Sequence, residues 1–151
     1  SWINYRGQDT QNDEDFTPQL GVDLTHDSGV YVGLWTSTVD FNDGDQAEFE
    51  LDTYVGYSHE SGPWSWDVRY TYFFYPGAAP SFNYNYGEFS TELAYDFEVL
   101  SLGGLLAYSP NFTADSGDAE YVQAKLDVPL PYDFALHSYV GKQFVDDNVA
   151  Y

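Results

Sequence analysis

Residues 46–59, QAEFELDTYVGYSH, and residues 64–75, WSWDVRYTYFFY, decide the fold. In the first run Ala47, Phe49, Leu51, Thr53, Val55 and Tyr57 occupy every second position, with Glu48, Glu50, Asp52, Tyr54, Gly56 and Ser58 between them. In the second, Trp64, Trp66, Val68, Tyr70, Tyr72 and Phe74 alternate with Ser65, Asp67, Arg69, Thr71, Phe73 and Tyr75. Successive side chains of a strand point to opposite faces, so a period of two sorts each run into one apolar and one largely polar face. The four residues between the runs, Glu60-Ser61-Gly62-Pro63, are turn formers. Together they read as a β-hairpin.

The same alternation extends in both directions. Residues 18–26 place Leu20, Val22 and Leu24 on one face; 85–97 set Phe89, Leu93 and Tyr95 against Glu88, Glu92 and Asp96. Residues 99–109 carry Leu100, Leu102, Leu106 and Tyr108, and 120–128 set Val122, Leu126 and Val128 against Gln123, Lys125 and Asp127. Residues 30–41 and 134–144 are strand-like on both faces, and 1–6 read as a first strand, giving nine. The connections alternate in length. The acidic 8–17, the turn 42–45, PGAAPSFN (76–83) and PNFTADSGD (110–118) fall on one end; 26–29, 60–63, Glu98 and PLPYD (129–133) fall on the other. Outer-membrane barrels have short periplasmic turns and longer outer loops. That rule puts the first set outside and the N-terminus in the periplasm.

Composition narrows the class. Four Lys and Arg stand against 25 Asp and Glu, a formal charge of −21. This lacks the cationic footprint that nucleic-acid binding needs. An aromatic content of 20% separates the chain from acidic disordered sequences. Cysteine is absent, so no disulfide, thiolate nucleophile or zinc–cysteine site is available. The longest apolar stretch, Val99 to Tyr108, is broken by Ser101, Gly103 and Gly104. It is far short of the roughly 20 residues of a membrane helix, whereas a barrel strand needs only about 9–11. The 151 residues fit one all-β domain, an antiparallel up-and-down transmembrane barrel.

Sidedness separates that barrel from a soluble β-sandwich or lipocalin-type barrel, in which the same aromatics would form the core. In the membrane arrangement Phe49, Leu51, Val55, Trp66, Val68, Tyr70, Tyr72, Leu93 and Leu126 face lipid, with Trp and Tyr suited to its boundaries. Asp23, Glu48, Glu50, Asp52, Asp67, Glu88, Glu92 and Asp127 then line the lumen, joined by Arg6, Arg69 and Lys125. Gly21, Gly56 and Gly103 on that face would leave space.

Several segments together resemble the TorF-type porin family, also described as Gcw_chp. They are Tyr5-Arg6-Gly7-Gln8, Pro18 to Leu24 (PQLGVDL), HDSGVYVGLWTSTVDF (26–41), ELDTYVGYSHE (50–60), Tyr75-Pro76-Gly77, Tyr108 to Phe112 and PLPYDFALHSYVG (129–141). The ordered set covers nearly the whole chain, although none of its segments is catalytic. The resemblance implies an exported outer-membrane barrel with a porin role. Members of that family carry about three further alternating strands, which would make twelve. On that basis the nine strands here are expected to be part of a larger barrel, since an open edge in lipid leaves backbone groups unsatisfied.

An open lumen lined this way would attract cations and repel anions. The alternative is a barrel filled by ion pairs and hydrogen bonds, serving as a structural or interaction protein. Its outer carboxylates Asp9, Asp13, Glu14, Asp15, Asp115 and Asp118 could share divalent ions with lipopolysaccharide. Asp40 to Asp45 (DFNDGD) has calcium-loop chemistry, but the glycine comes one place early and no glutamate follows at position twelve. A hairpin turn accounts for it, and no metal or cofactor site is expected. His26 and His59 fall at strand ends, and His137 pairs by spacing with no particular serine, so no enzyme is expected.

Overall fold

The computed structural model describes residues 4–5, 8–9, 17–39 and 47–146. Strands β1 (Asn4–Tyr5) and β2 (Gln8–Asp9) pair with each other in a small antiparallel ladder. The other eight are β3 (Gln19–Thr25), β4 (Val30–Thr38), β5 (Phe49–Ser61), β6 (Trp64–Phe74), β7 (Tyr86–Asp96), β8 (Ser101–Ser109), β9 (Ala119–Pro129) and β10 (Ala135–Val145). They form one antiparallel sheet in which every strand pairs with its neighbours in sequence. No α-helix occurs among the described residues; two single 3₁₀ turns, Pro80–Phe82 and Thr113–Asp115, lie in the long connections. The expectation of a first sheet strand over 1–6 is corrected: Asn4–Tyr5 folds back onto Gln8–Asp9 instead of joining β3. Strands separated by two residues in sequence close their ladder at little entropic cost, whereas pairing with β3 would close a far longer stretch of chain.

Turn chemistry sets the register. Ser61 faces Trp64 across the two-residue link Gly62-Pro63. Gly62 has φ 59°, the left-handed geometry that a two-residue hairpin demands of its first central residue. Asp96 pairs with Ser101 across a turn closed by Phe97 N–H donating to the Leu100 carbonyl at 2.8 Å. There Glu98 takes φ 69°, and its N–H donates to Asp96 Oδ1.

With these registers, period two becomes an observed division of faces. The side carrying Leu20 (64% exposed), Phe89 (58%), Leu93 (50%) and Leu106 (56%) has nothing packed on it. The opposite side holds the buried polar residues Ser37, Asp52, Thr71, Glu88 and Ser109. A one-layer sheet can shield one face only by curling toward it or by folding loops across it. The polar face is therefore the sheltered one, the reverse of a water-soluble domain.

The one apolar cluster described sits at the loop end of the sheet. Val39, Ala47, Phe73, Tyr75 and Tyr86 pack together, with Ala78, Tyr84 and Phe112 against them. Phe73 and Tyr86 stack with ring centroids 4.4 Å apart, and Phe112 meets Tyr86 edge-on at 4.8 Å. Val39 and Ala47, flanking β4 and β5, thus meet the β6–β7 and β8–β9 connections at one end of the polar face.

Candidate functional site: the polar face of the sheet

Register brings the acidic residues into transverse rows. Asp67 on β6 lies between Ser58 on β5 and Glu92 on β7. One row nearer the loops, Gly56, Arg69, Ser90, Ala107 and Tyr121 face one another in turn across β5 to β9. Nearer still, Tyr54, Thr71 and Glu88 share a row, then Trp35, Asp52, Phe73 and Tyr86. At the turn end, Asp96, Ser101, Asp127 and His137 line up across β7 to β10.

Tyrosines bind these rows together. The Tyr31 hydroxyl, on β4, reaches over β5 to Asp67 on β6, at 2.9 and 2.8 Å from the two carboxylate oxygens. It crosses at Gly56, where an added Cβ would fall within 3.0 Å of the Tyr31 ring. The mirror arrangement lies beside it: Tyr54, on β5, passes over Gly33 on β4 and donates to Asp23 Oδ1 on β3. The two rings meet edge-on at 6.3 Å, and the Arg69 guanidinium stands 5.7 Å from the Tyr54 ring centroid. Toward β10, Lys125 Nζ is 3.5 Å from Glu92 Oε1 and 3.7 Å from Asp127 Oδ2. His137 Nδ1 completes the series at 2.6 Å from Asp127 Oδ1. The Lys125 ammonium and the Glu92 carboxylate are about two-fifths exposed, so solvent screens these pairs. They set the local charge more than they hold the fold.

The space expected at Gly56 is therefore filled by the Tyr31 ring. Tyr31 and Tyr54 were missed as site residues; the signal was a tyrosine on the polar face two residues from a glycine and opposite another on the next strand. Glu48 sits just ahead of β5, exposed, its carbonyl accepting the Val39 N–H at 3.0 Å. Glu50 shares the polar face and accepts a hydrogen bond from Tyr75, which lies just beyond β6. Burial first, then the neighbouring Glu50 charge, pushes the Tyr75 hydroxyl above the usual tyrosine range. Arg6, Asp13, Glu14, Asp15 and the 40–45 turn lie outside the described residues.

The family model described as "Bacterial protein of unknown function (Gcw_chp)" matches residues 1–151. The chain belongs to the Gcw_chp family. No curated protein and no solved structure matches it. In this Gcw_chp chain the polar face is a connected belt from Asp23 on β3 to His137 on β10, with most of its carboxylates engaged by a hydroxyl, ammonium or imidazole. The apolar set Phe49, Leu51, Val55, Trp66, Val68, Tyr70, Tyr72, Leu93 and Leu126 occupies the other face throughout. Of the outer carboxylates, Asp118 accepts the Tyr108 hydroxyl at 2.9 Å, and Asp115 is held by two asparagine amides, Asn83 and Asn111. Among the described residues no three His, Asp or Glu side chains gather as a metal site.

Proposed function

We propose that this chain forms the wall of an outer-membrane β-barrel, a porin-like channel for small solutes with an acidic, cation-preferring lumen and a periplasmic N-terminus. One observation carries the reading: a single-layer sheet whose aromatic and aliphatic face is bare while its carboxylate face is sheltered. In water that arrangement forfeits the burial of the exposed Leu, Val, Phe and Trp side chains of that face, at about 1.5–3 kcal/mol each. In lipid it costs nothing. Backbone groups at the edges of β3 and β10 are unpaired among the described strands. Hydrocarbon does not tolerate such edges, so both must be paired in the assembled barrel.

The test is conductance of the purified protein in planar bilayers under a salt gradient. Discrete channels with a cation-selective reversal potential support the reading, and Glu50→Lys with Glu92→Lys should shift that potential toward anions. Currents no different from protein-free bilayers would defeat it. So would a monodisperse protein in detergent-free buffer.

A second reading is favoured by the tyrosine belt itself: a side-chain-filled barrel that serves as a structural or interaction protein. Its acidic outer loops would bind lipopolysaccharide through divalent cations, or a protein partner. A stably inserted barrel without conductance favours this reading. Neither assigns a catalytic step. In the His137 row, Ser101 stands on the far side of Asp127, two strands from the imidazole.

A further inference from the structure

We infer that the β6–β7 and β8–β9 connections form a latched lid over the loop end of the polar face, with Asp115 as the latch. This goes beyond the channel reading and rests on it only for its effect on current.

The two connections are joined by contacts between them. Asp115 accepts from the Asn83 amide of the other connection through Oδ2, while the Asn111 amide of its own connection steadies Oδ1. The Ala114 N–H donates to the Asn83 carbonyl at 2.9 Å, and the Thr113 hydroxyl to the Tyr84 carbonyl at 3.2 Å. To make these contacts Asn83, Ala114 and Asp115 all hold left-handed backbone, φ 48°, 59° and 54°. Asn83 and Asp115 tolerate that conformation, but Ala114 does not, and its strain persists only while surrounding contacts enforce it. Phe112 and Tyr84 carry the joined loops onto the Phe73–Tyr75–Tyr86 cluster. That cluster shares a row with Asp52, whose Oδ1 is buried without a hydrogen-bond partner; Ser109 Oγ, at the β8 end, is in the same condition. Lifting the loops would hydrate both atoms and release the strain. The closed state is thus held against two opposing forces by the Asp115–Asn83 bond, two neutral hydrogen bonds and the Phe112–Tyr86 contact, a set small enough for a lid that can open.

The variant is Asp115→Asn, which keeps the size and the tolerance for left-handed backbone. It places an NH₂ against one of two amide donors. Hydrogen exchange of the folded protein in detergent reads the lid directly. The Ala114 amide should exchange at least about tenfold faster in the variant, while amides of β6 and β7 are unchanged. An Ala114 exchange rate equal to the wild type overturns the latch. Bilayer recordings of the same two proteins read the consequence. A larger unitary conductance in the variant supports a lid over a pore; an unchanged conductance with accelerated exchange overturns the placement of the lid over the conduction path. If neither protein conducts, the channel reading fails, and exchange at Ala114 still decides the latch.

Discussion

Placing a methyl group at Gly56 should unfasten the centre of the polar face. The added Cβ would sit within 3.0 Å of two Tyr31 ring carbons and the hydroxyl oxygen, so the ring must swing off β5 and its hydroxyl must leave Asp67. A hydrogen bond to a charged group is worth about 1.5–3 kcal/mol, and forcing a ring out of a packed position about 1–3. The site is only partly buried, which favours the lower ends, so Gly56→Ala should lose about 2–4 kcal/mol. Tyr31→Phe keeps the ring and removes the hydroxyl, so it should lose only the first share. The double variant Gly56→Ala with Tyr31→Ala has no ring to displace, and its cost should fall well below the sum of the single costs. Gly104→Ala is the control, because its nearest neighbour is the Gln123 carbonyl oxygen at 3.5 Å, an ordinary contact. Urea unfolding in vesicles, followed through the four tryptophans, gives these four values and that of Tyr31→Ala alone. If Gly56→Ala were no less stable than Gly104→Ala, or if the double variant were additive, the crossing of Tyr31 over Gly56 would not exist in the folded protein.

Two further outcomes follow from the same faces. Val68→Arg puts a charge on the apolar face at mid-strand and should cost about 2–4 kcal/mol of folding into vesicles, while Ser90→Asp on the polar face should fold as the wild type does; equal behaviour, or the reverse, would mean the faces are inverted. Tyr75 is held un-ionised by burial and by Glu50, so its folded value lies above the ordinary 10.0. Its stabilisation is complete below pH 10 and is lost as pH rises beyond it, because the unfolded chain releases the proton first. Tyr75→Phe should therefore flatten the alkaline loss of stability relative to the wild type, and parallel curves for the two would argue against a buried hydroxyl there.

The strands were legible because their signal is local. The expected runs 64–75, 85–97 and 120–128 fall within two residues of β6, β7 and β9, and Gly62-Pro63 and Glu98 mark turns through short-range backbone chemistry. The division into faces followed from the same parity, so Asp23, Glu50, Asp52, Asp67, Glu88, Glu92 and Asp127 all fall on one side. Partnership within that face is another matter. Tyr31 meets Asp67 only because the ring leans across a whole strand, 36 residues away in sequence, and the lean depends on strand stagger. Composition could say that a tyrosine and a glycine shared a face; it could not say that one filled the gap left by the other. The Asp115 latch was hidden for a different reason. Its geometry needs three residues in left-handed backbone, which side-chain patterns do not encode when none of the three is glycine.

These distinctions bear on what the protein does. A lumen charge read from composition treats each carboxylate as an independent attraction for passing cations. Here Asp23 and Asp67 are hydrogen-bonded by tyrosines, and Glu92 and Asp127 share one lysine. Their fields are partly spent inside the wall. Glu50 accepts from the Tyr75 hydroxyl, a neutral partner where Glu92 has a lysine, and with Asp52 it lies toward the loop end, in and beside the row that the aromatic cluster covers. On the channel reading, a solute crossing the polar face would meet these two carboxylates where the loops close over it. Selectivity and access would then be governed at the same level of the barrel, so replacing Glu50 should change ion preference more than replacing Glu92. Equal shifts in reversal potential from the two separate substitutions would show that the belt and the loop end contribute alike, and would remove this localisation.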